Sequence, residues 1–85
     1  KAAFAGAKEL RQVSVKNLDG VEKATITVTM RGGSKGMDAT ALNRTSAGKY
    51  KTVETGKVAD DRTFSFEITS AGNYVVYAGK VDLDK

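Results

Sequence analysis

The chain contains no cysteine, histidine, tryptophan or proline. Without cysteine, disulfides and thiolate metal sites are excluded, although this alone does not fix a compartment. Without histidine as well, the usual general base and the usual activated thiol are both missing, which argues against an enzyme. No helical pattern is present to hold a Ser-x-x-Lys nucleophile. Tryptophan is the broadest stacking platform a protein can offer a sugar ring, so its absence weakens a glycan-binding role. Proline often guards edge strands and shapes loops; here lysine and glycine must do that work. No apolar run approaches the roughly 20 residues of a membrane-spanning helix, so no membrane span is expected. The opening "KAAFAGAKEL" carries Lys1 and Lys8 around an apolar stretch too short for a secretory signal. A start at Lys1 points to a mature or trimmed chain.

What is present is ordinary for a small globular domain: 85 residues, 40% hydrophobic and 28% charged. A chain this long forms one domain or part of a longer protein, and buries about two-thirds of its unfolded surface, enough for a thin core. The net charge is +4 and the isoelectric point near 9.5, which permits binding to nucleic acid, anionic lipid or acidic polymers. The lysines, however, are interspersed with acids, as in "KELRQ", "VEKAT", "ETGKVADDR" and "GKVDLDK". No block of like charge stands out, as befits a solvated surface of mixed sign.

The dominant pattern has a period of two. In "ATITVTMR", Ile26, Val28 and Met30 alternate with Thr25, Thr27 and Thr29, giving one apolar and one hydroxylated face. Both residue classes are β-branched or tolerated on a pleated surface, so a half-buried strand is predicted. Upstream, Val13 and Val15 alternate with Ser14 and Lys16, and Asp19-Gly20 supplies a strong turn signal. Residues 10–31 therefore read as a β-hairpin. "RGGSKGMD", residues 31–38, has three glycines in eight positions but lacks the Gly-Lys-Ser/Thr order of a phosphate loop and reads as a connection between sheets. Two further arms flank "SAG" at 46–48, with Leu42 and Tyr50 expected to point inward. Phe64, Phe66 and Ile68 alternate with Thr63, Ser65 and Glu67, and "SAGN" then leads into "YVVYAGKVDL". There Tyr74 and Val76 share one face and Val75 and Tyr77 the other, as in a central strand covered on both sides. Residues 62–79 read as the closing hairpin of the sandwich. Burial of its four aromatics is worth roughly 1.5–3 kcal/mol for each side chain.

Turn signals about every 8–12 residues define an all-β chain, an antiparallel β-sandwich of immunoglobulin-like or related topology with about six to seven strands. Residues 1–9 form a lead-in strand around Phe4, a short helical turn or a tail, and residues 10–85 a single module.

Residues 40–77 also resemble a recurrent β-module of bacterial cell-surface and secreted proteins, especially clostridial and cellulosome-associated ones. The shared positions are Ala41 and Leu42 in one strand, then Gly48-Lys49-Tyr50, a Val-rich segment, an Asp-containing turn, an aromatic strand and a closing Tyr74-Val75 strand. Where those modules often place Gly after the Asp of the turn, this chain has Asp60-Asp61-Arg62. The resemblance covers under half the chain, mostly at core and turn positions. It implies an extracellular or cell-surface accessory module that spaces or stabilises a neighbouring domain of the same chain, or binds a protein partner or a glycan.

Several residues carry candidate chemistry. Asp60, Asp61, Asp82 and Asp84 offer hard oxygen ligands for calcium, without the spacing of an EF-hand; otherwise no cofactor is expected. Asp is also a favoured turn residue. Lys49 and Lys51 flank Tyr50 with Lys57 close by in sequence, a candidate ligand-binding set for a glycan or another anionic polymer. Nucleic acid would require a basic stripe with several aromatics, which is not seen, and the same lysines equally serve as edge protection. Asn43-Arg44-Thr45 fits the N-glycosylation triplet. By analogy with surface modules of Gram-positive bacteria, Lys16, Asn73 and Glu67 form a candidate isopeptide set.

Overall fold

A computed structural model of the chain describes residues 6–18, 20–46 and 49–81. Six strands follow one another: β1 (Glu9–Val15), β2 (Ala24–Thr29), β3 (Asp38–Ser46), β4 (Lys49–Lys57), β5 (Thr63–Ile68) and β6 (Gly72–Ala78). One sheet has the order β1-β6-β3-β4, and the other consists of β2 and β5. Every pairing is antiparallel. The result is the all-β sandwich expected from the sequence, measuring 35 × 31 × 15 Å, a thickness that two sheets about 10 Å apart account for. The pairing of the second strand with the fifth, and of the third with the sixth, repeats the B–E and C–F neighbours of an immunoglobulin-type sandwich. The candidate lead-in strand around Phe4 lies outside the described residues.

The small sheet shows why the period-two pattern matters. Ile26 faces Phe66 and Val28 faces Phe64 across the β2–β5 ladder, while Thr25, Thr27 and Thr29 face Glu67, Ser65 and Thr63 on the water side. There Thr27 Oγ1 and Ser65 Oγ lie 2.9 Å apart in a hydrogen bond. The apolar side meets Tyr74 and Val76 of β6 and Ala39 and Ala41 of β3 in the core, with Met30 fully buried beside them. The Phe66 ring sits 6.2 Å from Phe64 and 6.1 Å from Tyr74. Gly56 on β4 belongs to this seam, because a Cβ there would lie 3.0 Å from the Phe64 ring.

Two expectations change. The first is that neither predicted strand–turn–strand unit is a hairpin. The turn after β1 forms, with Val21 N–H donating to Leu18 O at 3.0 Å and Gly20 at φ +85°, but β1 pairs with β6 and β2 with β5. The connection thus arches from one sheet to the other, as does the one between β5 and β6. Only β3 and β4 pair as sequence neighbours. A local turn reverses the chain without dictating which strand it then joins. The second change concerns Leu42 and Tyr50, which share a face, but the outer one, opposite the small sheet. The inward positions of β3 go to Ala39 and Ala41, small residues that leave room for the rings of β5 and β6. Tyr77 lies on that outer face too, away from Tyr74 as the alternation along β6 predicts, so among the described residues the aromatic seam has three rings, Phe64, Phe66 and Tyr74. Leu42, Val75 and Tyr77 are nonetheless buried, as the continuous apolar run of β6 requires of a central strand.

The Asp60-Asp61 turn is tight: Arg62 N–H donates to Ala59 O and Ala59 N–H to Thr63 O, both at 2.9 Å. Arg62 closes it at φ +67°, in the left-handed region that glycine adopts without strain and a residue with a Cβ does not. Replacing Arg62 by Gly is therefore expected to raise Tm by about 2–6 °C, the relief being partly offset by a more flexible unfolded chain. An unchanged or lower Tm would show that the arginine is not strained. Ala41→Leu is expected to cost about 1–3 kcal/mol in urea unfolding, because the inner face has no room for the added methylenes.

Candidate functional site

The outer face of the four-stranded sheet is built in rows, since residues opposite one another on adjacent strands point the same way. Ser14 lies opposite Asn73, Asn73 opposite Arg44, and Arg44 opposite Tyr50, so one row crosses all four strands. The next row holds Gln12, Val75, Leu42 and Thr52, and the third Leu10, Tyr77, Thr40 and Thr55. The first row and its Gln12–Val75 border line a groove of about 510 Å³, within the size range of small-ligand sites. Its floor is the buried Val75. Its walls are the exposed Gln12, Ser14, Arg44 and Asn73 and the half-buried Tyr50. Among the described residues, Arg44 is the one charged side chain lining it. The register shifts between Ala41 and Leu42 and between Arg44 and Ser46 bend this end of the β3–β4 pair, as bulges re-aim side chains at sheet ends.

Of the four residues singled out as a ligand-binding set, Tyr50 lines the groove. Lys49 and Lys51 are its chain neighbours, and strand alternation directs them to the other face. Lys57 stands apart. It lies about 20 Å further along β4 and is ion-paired with Asp38. That pair belongs to a second groove, of about 560 Å³, at the opposite end of the sheet, lined also by Tyr77 and Lys80. The hydrogen bond and charge of Lys57 hold the Asp38 carboxyl below its ordinary range.

Of the four candidate calcium ligands, Asp61 bonds within the turn it belongs to. Asp61 accepts the Thr63 hydroxyl at 2.7 Å and the Thr63 N–H at 3.2 Å, and these hydrogen bonds lower its pKa. Asp60 meets Lys35 at 3.4 Å on the surface. Among the described residues no three metal-ligating side chains gather; Asp82 and Asp84 lie outside them. The isopeptide set is dispersed. Asn73 stands on the outer face of the large sheet, and Glu67 on that of the small sheet, ion-paired with Lys23 at 3.5 Å. Asn43 sits mid-strand between β6 and β4, rather than on the open loop a glycosylation acceptor needs.

Gln12, Ser14, Arg44 and Asn73 were not anticipated as a site. Each looks like an ordinary water-facing strand residue, and nothing local links four positions spread from 12 to 73. Only the cross-strand register brings them together. The sequence matches no known family model and no characterised protein, and the fold has no match among solved structures.

The Asp38 and Asp61 interactions give the fold an acid limb. Both carboxyls have folded pKa values below the ordinary 3.8, so the unfolded chain binds protons first and their stabilisation is complete above about pH 5. It is lost as the pH falls through the two folded values. Urea unfolding between pH 7 and 2 is expected to show this decline. Asp61→Asn keeps an acceptor for Thr63, and so is expected to leave stability near pH 7 little changed while flattening the acid limb; a limb of unaltered steepness would remove Asp61 from the account.

Proposed function

We propose that this chain is a non-catalytic accessory module of a secreted or cell-surface multi-domain protein, acting through contact with a protein partner or a neighbouring domain. The observation that carries this role is the pairing of β1 with β6, which sets Glu9 opposite Ala78. Lys8 N–H donates to Ala78 O at 2.8 Å, and Gly79 N–H to Asp38 O at the same distance. The chain thus enters and leaves the sandwich at one end, about 5 Å apart. A module attached in this way hangs from its neighbour and presents its far end to the surroundings. It makes a poor rod, because its 35 Å dimension does not hold its N-terminal and C-terminal neighbours apart. Of the two accessory roles, spacing and contact, contact is therefore favoured.

The lack of histidine and cysteine and the structural use of Asp61 support a role without catalysis. The extracellular setting rests on the resemblance of residues 40–77 to bacterial surface modules.

Small-angle scattering of the domain placed between two rigid reporter domains tests the attachment. The reporters are expected to move apart by much less than 35 Å relative to a fusion lacking the module; a separation close to that length would make it a spacer. Thermal unfolding with and without the native flanking sequence tests the contact. A rise of several degrees, about 1 kcal/mol for a domain this size, is expected if a neighbour packs against it, and an unmoved midpoint would restrict the contact to a partner in trans.

A further inference from the structure

The groove formed by Ser14, Asn73, Arg44 and Tyr50 lies at the end of the sandwich away from the Glu9–Ala78 pair. Ser14 is near the last residue of β1, Asn73 near the first of β6, and Arg44 and Tyr50 beside the β3–β4 turn. On a pendant module this is the end presented outward. We propose that this groove binds a short stretch of an acidic saccharide, its carboxylate or sulfate held by Arg44 and one ring resting against Tyr50. This deepens the accessory role by naming a ligand for the free end, and rests on the attachment geometry described above.

The chemistry of the walls favours a saccharide over the other polymers that a basic domain attracts. Strands are about 4.8 Å apart, so the row spans about 14 Å across the sheet. Along it, Ser14 offers a hydroxyl and Asn73 an amide, and Gln12 on the bordering row offers a second amide, groups that both donate and accept hydrogen bonds. Sugar hydroxyls do the same. A peptide lying across the strands would find the backbone groups of the central strands already paired, with Val75 and Tyr50 as the apolar anchors. Single-stranded nucleic acid uses several stacking rings along a cationic track, whereas the described lining of this groove offers one arginine and one accessible ring, Tyr50, its second tyrosine, Tyr74, being buried. Among the described residues Arg44 has no ion pair and no acid lines the groove. A guanidinium presents a planar fork suited to carboxylate or sulfate.

The test is a titration of the isotope-labelled 85-residue chain, followed by amide and side-chain NMR shifts. The probes are a galacturonic acid trisaccharide, a heparin-derived tetrasaccharide and neutral maltotriose. Shifts centred on Gln12, Ser14, Arg44, Tyr50 and Asn73 are expected with at least one acidic probe, with affinity falling as salt rises. The probe that binds distinguishes carboxylate from sulfate as the favoured anion. Arg44→Gln is expected to weaken binding about tenfold or more, as for a lost charge-assisted hydrogen bond, with Tm unchanged. Lys57→Gln, at the other end of β4, is expected to leave affinity intact. The proposal is overturned if no acidic probe shifts the groove at about 10 mM (a Kd of that order is the weak limit of specific binding). It is equally overturned if maltotriose binds as well as the acidic probes, if shifts centre on Lys57 or scattered lysines, or if a tetraglutamate peptide or an oligothymidine binds the groove more tightly. None of these results alters where the chain enters and leaves, so the pendant attachment is judged separately by scattering.

Discussion

The contact on which the rest of the molecule depends is the seating of Phe66 between the two sheets. Its ring touches Phe64 on its own strand and Tyr74 across the gap. Two β-strands alone are marginal in water, so β2 and β5 persist because this seam fastens them to the larger sheet. The seam in turn dictates composition on the facing side. Ala39 and Ala41 are small and Gly56 has no side chain because the rings occupy the volume a larger residue would need. With the inner positions of β3 held by alanine, its bulkier residues, Leu42 and Arg44, fall on the outer face. The floor and charge of the groove are thus a downstream result of how the core packs.

The surface charge plays a smaller part. Among the described residues four ion pairs, Arg11–Glu9, Lys23–Glu67, Lys35–Asp60 and Lys57–Asp38, each have at least one solvent-exposed partner, and pairs of that kind contribute little. They set opposite charges beside one another, which leaves Arg44 distinctive in a groove with no acid among its described lining residues. Lys49, Lys51 and Lys57 lie along β4, at one edge of the large sheet, and together with the register shifts there they discourage edge-to-edge pairing.

Much of the fold was legible in the residues alone. The alternation in "ATITVTM" and "TFSFEI" placed two strands and their inner faces correctly, and Gly20 marked a reversal that does form. What the residues did not reveal was pairing. The sheet a strand joins depends on side-chain fit across long sequence separations, such as Ile26 with Phe66 and Val13 with Tyr74, whereas turn chemistry is local. The same limit governed the groove. Tyr50 was visible as an aromatic between lysines, but Lys57 was only a near neighbour in sequence, and Gln12, Ser14 and Asn73 acquired meaning when β1 and β6 were seen to lie side by side. Arg62 departs from local preference, since the turn demands a backbone shape its side chain resists.

The order of strands in the large sheet also bears on how the chain comes to be folded during synthesis. The last described strand, β6, is not an edge: it lies between β1 and β3 and bonds to both. Until residues 72–78 have left the ribosome, the first strand has no partner and the β3–β4 pair has one side open. Sheets assembled from such distant segments form slowly. A nascent chain stopped short of its last strand would carry a gap through the middle of the sheet, and its exposed flanks invite capture by another chain's strand.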